Sequence, residues 1–259
     1  MRGTQTAMTE QLPSAVMDLQ RAHRSARDYT DQPVDDALLA QLIASARGAA
    51  SSSFIQAYSL VRVHRAEARA RIAKAAGGQR WVEQAPVFLV CCADLRRVDH
   101  ACRAQGRGEL AGWAEHSLAA IVDCALFAQN LMLAGESVGL GGVFVGGIRN
   151  APEVVVAELA LPQWVLPLFG LCLGWPSEQA KGQAVKPRMP VELILHQDRY
   201  RDPDPAEIGA YDATLAAYYR SRGSNARLDD WSAATANAVQ GKKRKHMLDV
   251  LRARGFFRC

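Results

Sequence analysis

A long apolar segment at residues 115–138 restricts the fold of this chain more than any other feature. Apolar side chains recur in it at helical spacing and leave almost no polar face, which predicts a helix. Such a helix must lie in the centre of the protein or be shared with a second subunit, because no side of it is suited to water. The positions that form the pattern are Leu118, Ile121, Val122, Ala125, Leu126, Gln129, Met132 and Leu133.

Helices and strands are predicted on both sides of this segment. Helical spacing covers residues 14–24, 34–46, 67–76, 152–161 and 204–220. Strand-like runs cover residues 58–63, 87–92, 140–145 and 164–173. Residues 94–115 are predicted to be a polar surface excursion, and a polar arm with a basic tail follows the last helix. Without a repeat or an obvious linker, we expect a flexible tail at 1–13 and one mixed α and β domain at 14–259.

The distribution of charge limits the kind of partner. The chain has 31 Lys and Arg against 26 Asp and Glu, but residues 241–259 alone contain seven basic side chains and one acidic one. The remainder is near neutral, so no nucleic-acid partner is expected. The uncharged segment 159–177 contains three prolines, and no apolar block precedes Pro13. We therefore expect no membrane partner, no secretory signal and a cytoplasmic location.

The six cysteines have neither disulfide-framework nor metal-ligand spacing, so no metal site is expected. Cys172 lies between Gly170 and Gly174 in the outline of a nucleophile elbow, which would make the chain a thiol hydrolase. An elbow requires a helix directly after the nucleophile, whereas Trp175 and Pro176 follow here. A buried strand cysteine is the better interpretation, and the thiol hydrolase is kept as an alternative.

Three groups of cations are candidates for binding phosphate, because guanidinium groups bind it bidentately and a serine hydroxyl adds a neutral donor. They are His23, Arg24, Ser25 and Arg27; then Lys186 and Arg188; then Arg222 and Arg227. The first two groups together offer enough charge for one phosphate. The third lies on a loop and suits the phosphate of a mobile second ligand. A solvated basic surface is the alternative for each group taken alone.

Two segments of small residues are candidates for close contact with a flat ligand. Residues 141–147 form a strand flanked by paired glycines, which allows another group to approach the backbone. Residues 51–56 contain three serines, which could be donors to an aromatic cofactor. A tight turn and a plain loop are the alternatives.

Taken together and in this order, seven motifs resemble those of the oxygen-insensitive NADPH nitroreductases and NADPH-flavin oxidoreductases within the FMN-dependent nitroreductase family. Many separate motifs agree at once, which makes the resemblance specific. The motifs are HRSxR at 23–27, SSSFxQ at 51–56, GGQ at 77–79, GLGGVFVGG at 139–147, LPLFGLCLGWP at 166–176, KPR at 186–188 and YYxxRGSN at 218–225.

The resemblance implies an α+β fold, with a mainly antiparallel sheet wrapped by helices, in an intertwined homodimer with tightly bound FMN at the interface. It implies a ping-pong reaction in which hydride passes from NADPH through flavin N5 to small acceptors such as nitroaromatics, quinones, azo dyes or chromate. The flavin provides the chemistry, so no catalytic residue and no metal is implied. An NADPH-dependent FMN reductase that supplies reduced flavin is the alternative enzyme. A protein that binds FMN without turnover is the alternative outside enzymes.

The resemblance also implies roles for individual residues. It implies that the phosphate and ribityl groups of FMN are bound by His23, Arg24, Ser25, Lys186 and Arg188. Arg27 would lie at the pyrimidine end of the flavin ring, where its positive charge would stabilise reduced flavin. The ring itself would be lined by Ser51, Ser52, Ser53 and Gln56 of the other subunit and by Gln79, Phe144, Val145, Gly146 and Gly147. Arg222 and Arg227 would bind the 2′-phosphate of NADPH.

Two features depart from the family pattern. Phe144 stands where close relatives commonly have tyrosine, so a hydroxyl near the flavin is absent. The segment 94–115 is longer and more basic than the pattern, at the place expected for a region that covers the substrate. Acceptor preference is therefore not determined by the sequence.

Overall fold

The computed structural model describes residues 14–222, 229–241 and 244–259, so the predicted tail at 1–13 lies outside it. The α-helices within these residues are α1 (Ala15–Ala22), α2 (Asp36–Ala46), α3 (Ala66–Ala75), α4 (Trp81–Gln84), α5 (Arg96–Ala104), α6 (Ala114–Ser137), α7 (Pro152–Glu158), α8 (Glu178–Lys181), α9 (Pro205–Ser221), α10 (Trp231–Gly241) and α11 (Met247–Ala253). The strands are β1 (Tyr58–Arg62), β2 (Val87–Asp94), β3 (Gly141–Val145) and β4 (Val165–Gly174).

The four strands form one antiparallel sheet in the order β1-β2-β4-β3. In its centre Val87 of β2 pairs with Leu173 of β4, and the register shifts between Cys91 and Cys92. The strand β2 is buried along its whole length, as its continuous apolar run predicts for a strand covered on both faces. The predicted α+β fold with an antiparallel sheet is confirmed.

Helix α6 forms the core on one face of the sheet. Its inward side chains, among them Phe127, Leu131 and Met132, pack with sheet residues such as Leu89 and Leu171 in one apolar cluster. Ile72 of α3 and other helix residues cover the opposite face in a second cluster. Burial of apolar area on both faces is the main source of stability for such a layered fold.

The outer side of α6 is apolar but not covered within the chain. Leu118, Val122 and Leu126 are 51, 52 and 44% exposed and lie four residues apart on one side of the helix. Among the described residues, α6 is also the one helix that is long and apolar enough to cross a membrane. Its inner side, however, packs against the sheet in the apolar core. The prediction that this helix is central is confirmed, and it leaves an apolar face for a further partner.

Two predictions about local structure are wrong. The segment 94–115 is not simply a surface excursion, because it contains α5 and its acids Asp94 and Asp99 are buried. The arm after α9 contains the helices α10 and α11. Contacts distant in sequence hold the end of the arm, since Arg254 donates to the carbonyl of Leu161 at 2.8 Å and Phe256 is fully buried.

Candidate functional site

A cavity of about 790 Å³ lies where three separate parts of the chain meet. These parts are the segment after α1, the segment after α8 and the end of α9, with the first residue of α4 completing the wall. The lining residues are His23, Arg24, Ser25, Arg27, Trp81, Gln183, Ala184, Lys186, Arg188, Tyr218, Tyr219 and Arg222. All the described cations of the three predicted phosphate-binding groups are thus brought together.

The charge of this cavity is entirely positive. Of the lining residues that the structure describes, five are Arg or Lys and none is Asp or Glu. Among the residues that the structure describes, none of these five forms an ion pair with a carboxylate. Clustered cations without a counter-charge repel one another, and a bound anion relieves that repulsion. The cavity, which we call the basic cavity, is therefore suited to an anionic ligand.

The first cation group is fixed against strand β3. The N–H of Ala26 donates to the carbonyl of Gly142 at 2.9 Å, and Ser25 forms an isolated bridge with the same residue. A Cβ atom at Gly141 would lie 2.8 Å from that of Ala26, so only glycine allows the two backbones to come this close. Arg24 donates to the backbone carbonyl of Lys181, which ties the group to α8.

Arg27 has no counter-charge among the described residues of the wall. Burial lowers the pKa of its guanidinium below the ordinary value, and repulsion from Arg222 lowers it further, whereas Tyr29 acts in the opposite direction. Its recorded hydrogen bond, to the carbonyl of Ser25, is long at 3.4 Å. The guanidinium carbon lies 5.5 Å from the centre of the Trp81 ring, which is within the range of a cation–π contact.

His23 is oriented by a carboxylate outside the basic cavity. Its Nδ1 atom lies 2.6 Å from Oε1 of Glu136, near the end of α6. Because a carboxylate only accepts hydrogen bonds, Nδ1 carries the proton, and Nε2 is left to interact elsewhere. The second oxygen of Glu136 is buried without a hydrogen-bond partner in the described structure.

Helix α9 holds the second cation group in place. The hydroxyl of Tyr211 donates to the carbonyl of Pro187 at 3.1 Å, and that of Tyr218 donates to the carbonyl of Ala184 at 3.2 Å. Lys186 lies 5.2 Å from the centre of the Tyr219 ring. The extended, proline-containing segment is thereby fixed with its cations in the wall.

Other predicted ring-lining residues lie beside β3 but do not line the basic cavity. The Gln79 side chain donates to the carbonyl of Ala76 at 2.9 Å. A Cβ atom at Gly147 would lie 2.3 Å from both of these groups, so the end of β3 and the turn before α4 are in close contact. Val145 is fully buried, Gly146 begins a short 3₁₀ helix, and Phe144 is partly exposed on the strand.

The predicted serine loop is attached to α6 at a place remote in sequence from the cavity walls. Asp123 accepts hydrogen bonds from the Ser51 hydroxyl at 2.6 Å, the Ser52 N–H at 2.8 Å and the Ala57 N–H at 3.1 Å. Ser53 and Gln56 adopt positive φ, at 48° and 50°, so the loop has a tight conformation that these bonds support. None of the loop residues lines the basic cavity of the same chain.

A second cavity, of about 650 Å³, also contains basic side chains. In its wall Arg97 donates to Asp94 and to the Ser59 hydroxyl, each at 2.8 Å. The same guanidinium donates to the backbone carbonyls of Gln56 and Tyr58. The donors of Arg97 are thus used within the protein, and Asp94 adds a negative charge to the wall, so this second cavity is the weaker candidate for anion binding.

The alternative of a thiol hydrolase is not supported by the position of Cys172. The residue is fully buried in β4, which continues to Gly174 with no helix directly after the cysteine. Burial raises the pKa of its thiol to about 12, so the reactive thiolate is not populated near neutral pH. The interpretation as a buried strand cysteine is confirmed.

Sequence reasoning missed several residues at or near the site, among them Trp81, Gln183, Asp123 and Glu136, and one predicted residue cannot be placed. Trp81 lines the basic cavity, while Asp123 and Glu136 anchor a loop and His23. The two acids could have been noticed as isolated charges in the apolar segment; nothing in the local pattern marks Trp81. Arg227 lies outside the residues that the structure describes.

The fold and the basic cavity define an α+β protein that binds a small anionic molecule. Residues 21–175 match the model of the Nitroreductase family, and residues 186–258 match the model of that family's C-terminal domain. The chain belongs to the nitroreductase family. The resemblance seen in the motifs is thus confirmed.

Individual relatives are similar over nearly the whole chain. An oxygen-insensitive NADPH nitroreductase of Salmonella typhimurium is 43% identical, covering 94% of this chain and 98% of the relative. An NADPH-flavin oxidoreductase of Vibrio harveyi is 40% identical, covering 90% and 95%. The crystal structure of nitroreductase A from Vibrio parahaemolyticus superimposes with a TM-score of 0.86 at 38% identity, covering 96% and 100%.

Proposed function

We propose that this protein is an FMN-dependent oxidoreductase that uses NADPH to reduce nitroaromatics, quinones or similar small acceptors. The observation that supports this most is the basic cavity, with five cations and no carboxylate, in a chain of the nitroreductase family. Names of similar enzymes agree with NADPH as donor and a flavin as carrier of electrons.

The residues present suit FMN. Its phosphate is a dianion, which Arg24, Lys186 and Arg188 would bind through charge-assisted hydrogen bonds, with Ser25 as a neutral donor. His23, held by Glu136, would add a contact through Nε2. A volume of about 790 Å³ falls within the usual range for cofactor sites.

Arg27 has a separate task in this proposal. FMN, when bound, would supply hydride transfer between NADPH and the acceptor, and its reduced form would carry negative charge on the pyrimidine part of the ring. We place Arg27 at that end, where a fixed cation that is already desolvated stabilises this charge strongly. Gln79 and the segment 144–147 would lie along the ring.

We assign Arg222, together with Arg227, to the 2′-phosphate of NADPH. Arg222 directly follows α9, and its guanidinium carbon lies 5.9 Å from the centre of the Tyr218 ring. A guanidinium binds a phosphate bidentately, whereas NADH offers only a hydroxyl at that position. NADPH should therefore be preferred to NADH.

The proposed active form is an intertwined homodimer in the cytoplasm. The exposed apolar face of α6, with Leu118, Val122 and Leu126, would form the subunit contact. Because Asp123 attaches the serine loop to this same helix, the contact would bring Ser51, Ser52, Ser53 and Gln56 toward the flavin of the partner subunit.

A flavin reductase that supplies reduced FMN is the second candidate, because one of the similar enzymes is an NADPH-flavin oxidoreductase. The two candidates differ in the preferred acceptor. Turnover of nitrofurazone with a higher kcat/KM than free FMN would favour the nitroreductase, and the reverse order would favour the flavin reductase.

The test is an absorption spectrum of the purified protein, followed by anaerobic addition of NADPH and then nitrofurazone. We expect flavin bands that NADPH bleaches faster than NADH does and that the nitro compound restores. A colourless protein that takes up no added FMN would contradict the proposal. Sedimentation of the same sample tests the dimer, and a monomer with full activity would refute that part.

A further inference from the structure

Trp81 stands out among the residues that line the basic cavity, because it contributes neither charge nor a hydrogen bond. It begins α4, directly after the turn that contains Gly77 and Gly78, both at positive φ. One face of the side chain packs with the second apolar cluster, and the residue also lines the cavity. Its Nε1 atom is buried and has no hydrogen-bond partner in the described structure.

The ring of Trp81 is the main favourable contact of the Arg27 guanidinium. The guanidinium carbon lies 5.5 Å from the ring centre, and its recorded hydrogen bond to Ser25 is only a weak one at 3.4 Å. Arg222 repels it, and no carboxylate in the described residues pairs with it. The negative face of an indole ring attracts a guanidinium, and more strongly when both are shielded from water.

We propose that Trp81 is a positioning residue that holds the Arg27 guanidinium in the cavity wall and thereby sets how tightly the flavin is bound, above all in its reduced state. The inference rests on the proposed function, since it concerns the same ligand. It assigns Trp81 no direct contact with the flavin. The role proposed for Trp81 uses its aromatic face; the indole N–H has no partner among the described residues.

The experiment compares Trp81→Leu, which removes the aromatic face, with Trp81→Phe, which keeps a smaller aromatic face and removes the indole N–H. Apoprotein of each variant is titrated with FMN, and the two-electron midpoint potential of bound FMN is measured. We expect Trp81→Leu to weaken FMN binding about tenfold and Trp81→Phe to stay within about threefold of wild type. If the reduced form loses tenfold more affinity than the oxidised form, the potential falls by about 30 mV.

A double-mutant cycle tests whether Trp81 acts through Arg27. FMN dissociation constants are measured for Trp81→Leu, Arg27→Met and the double variant. Positioning predicts that Trp81→Leu has almost no further effect once Arg27 is absent. An equal loss in both backgrounds would overturn the inference, because Trp81 would then contact the flavin independently.

Other outcomes separate this inference from the proposed function. If wild-type apoprotein binds no FMN, the proposed function fails and this inference with it. If wild type binds FMN and Trp81→Leu matches it in both affinity and potential, only the inference is overturned. Urea unfolding checks that each variant is folded. If Trp81→Leu does not fold, it is replaced by Trp81→Met, which keeps apolar bulk without a ring.

Discussion

The basic cavity and the second cavity have similar volumes, about 790 and 650 Å³, and both contain arginines, but among the described lining residues only the second cavity has a carboxylate, that of Asp94. In the second cavity Arg97 donates to Asp94 and three further oxygen acceptors. In the basic cavity Arg27 has one long hydrogen bond and an aromatic ring. An arginine with saturated donors fastens the fold, whereas one without a counter-charge is available to a ligand.

Another arginine of the segment 94–115 is also paired with carboxylates, unlike the described arginines of the basic cavity. Arg103 of α5 pairs with Asp99 at 2.8 Å and with Glu109 at 2.6 Å. The segment 94–115 contains four arginines and four acids, and two of these arginines form ion pairs with three of the acids. Its predicted role in covering the substrate stays a prediction, and we expect acceptor preference to depend on other features than its paired arginines.

The largest effect should come from removing cations from the basic cavity. In the variant Lys186→Met with Arg188→Met, FMN binding should weaken at least about a hundredfold, because two charge-assisted contacts to phosphate are lost. Stability to urea should fall only slightly, since neither cation has an ion-pair partner among the described residues and only the contact of Lys186 with the Tyr219 ring is lost. Arg96→Met, which removes an exposed cation from the second cavity, is the matched control and should leave FMN affinity unchanged. An equal loss of FMN affinity in both variants would contradict the difference between the two cavities.

A smaller effect is expected from making the basic cavity resemble the second one. Gln183→Glu places a carboxylate among the lining cations, where it can pair with them and repel the FMN phosphate. We expect about tenfold weaker FMN binding, measured by titration of apoprotein. Gln183→Met tests for loss of the amide alone and should have little effect. Tighter binding in Gln183→Glu would show that cation repulsion, and not phosphate recognition, limits the site.

The smallest effect concerns a paired acid outside the basic cavity. Asp99→Ala removes the acceptor of the Leu110 N–H and the partner of Arg103, which should lower the free energy of unfolding by about 1 kcal/mol. FMN affinity should not change. Asp99→Asn keeps an acceptor for the N–H and should lose less. A loss of FMN binding in Asp99→Ala would contradict the separation between the two regions.

The pH dependence of that variant has a defined sign. Burial acts to raise the pKa of Asp99, but the Leu110 N–H and the Arg103 guanidinium outweigh it and hold the pKa below its ordinary value. The folded state therefore favours the carboxylate, and this stabilisation is present above about pH 4 and lost as the pH falls through the folded-state pKa. The difference between wild type and Asp99→Ala should shrink on acidification below about pH 4. A constant difference from pH 7 to pH 2 would refute the assignment.

The sequence predicted those elements whose local pattern and tertiary environment agree. The run in β2 and the apolar helix α6 have unambiguous patterns, and both are observed within two residues of the prediction. The local pattern does not predict α11, because its place depends on remote contacts, such as those of Arg254 with the carbonyls of Leu161 and Val165. The polar pattern of the segment 94–115 predicts exposed acids, because local sequence does not show their pairing with arginines, which the fold determines.

At the site, the sequence identified the cations but not their surroundings. The three groups that include Arg24, Lys186 and Arg222 were chosen for residue type, and the fold brings them into one cavity. Local sequence contains no information on which arginines meet a carboxylate, so Arg27 and Arg97 look alike until the structure separates them. Trp81 was missed for the same reason, since its importance arises from a neighbour 54 positions earlier in the chain.

The most direct test of the account is the affinity of the apoprotein for FMN compared with riboflavin, which has the same ring system and no phosphate. Isothermal titration of both ligands at one ionic strength isolates the contribution of the cations that the basic cavity leaves without a counter-charge. We predict that FMN binds at least about a hundredfold more tightly than riboflavin, and that added salt reduces the advantage. Equal affinities for the two ligands would contradict the claim that these unpaired cations form the phosphate site.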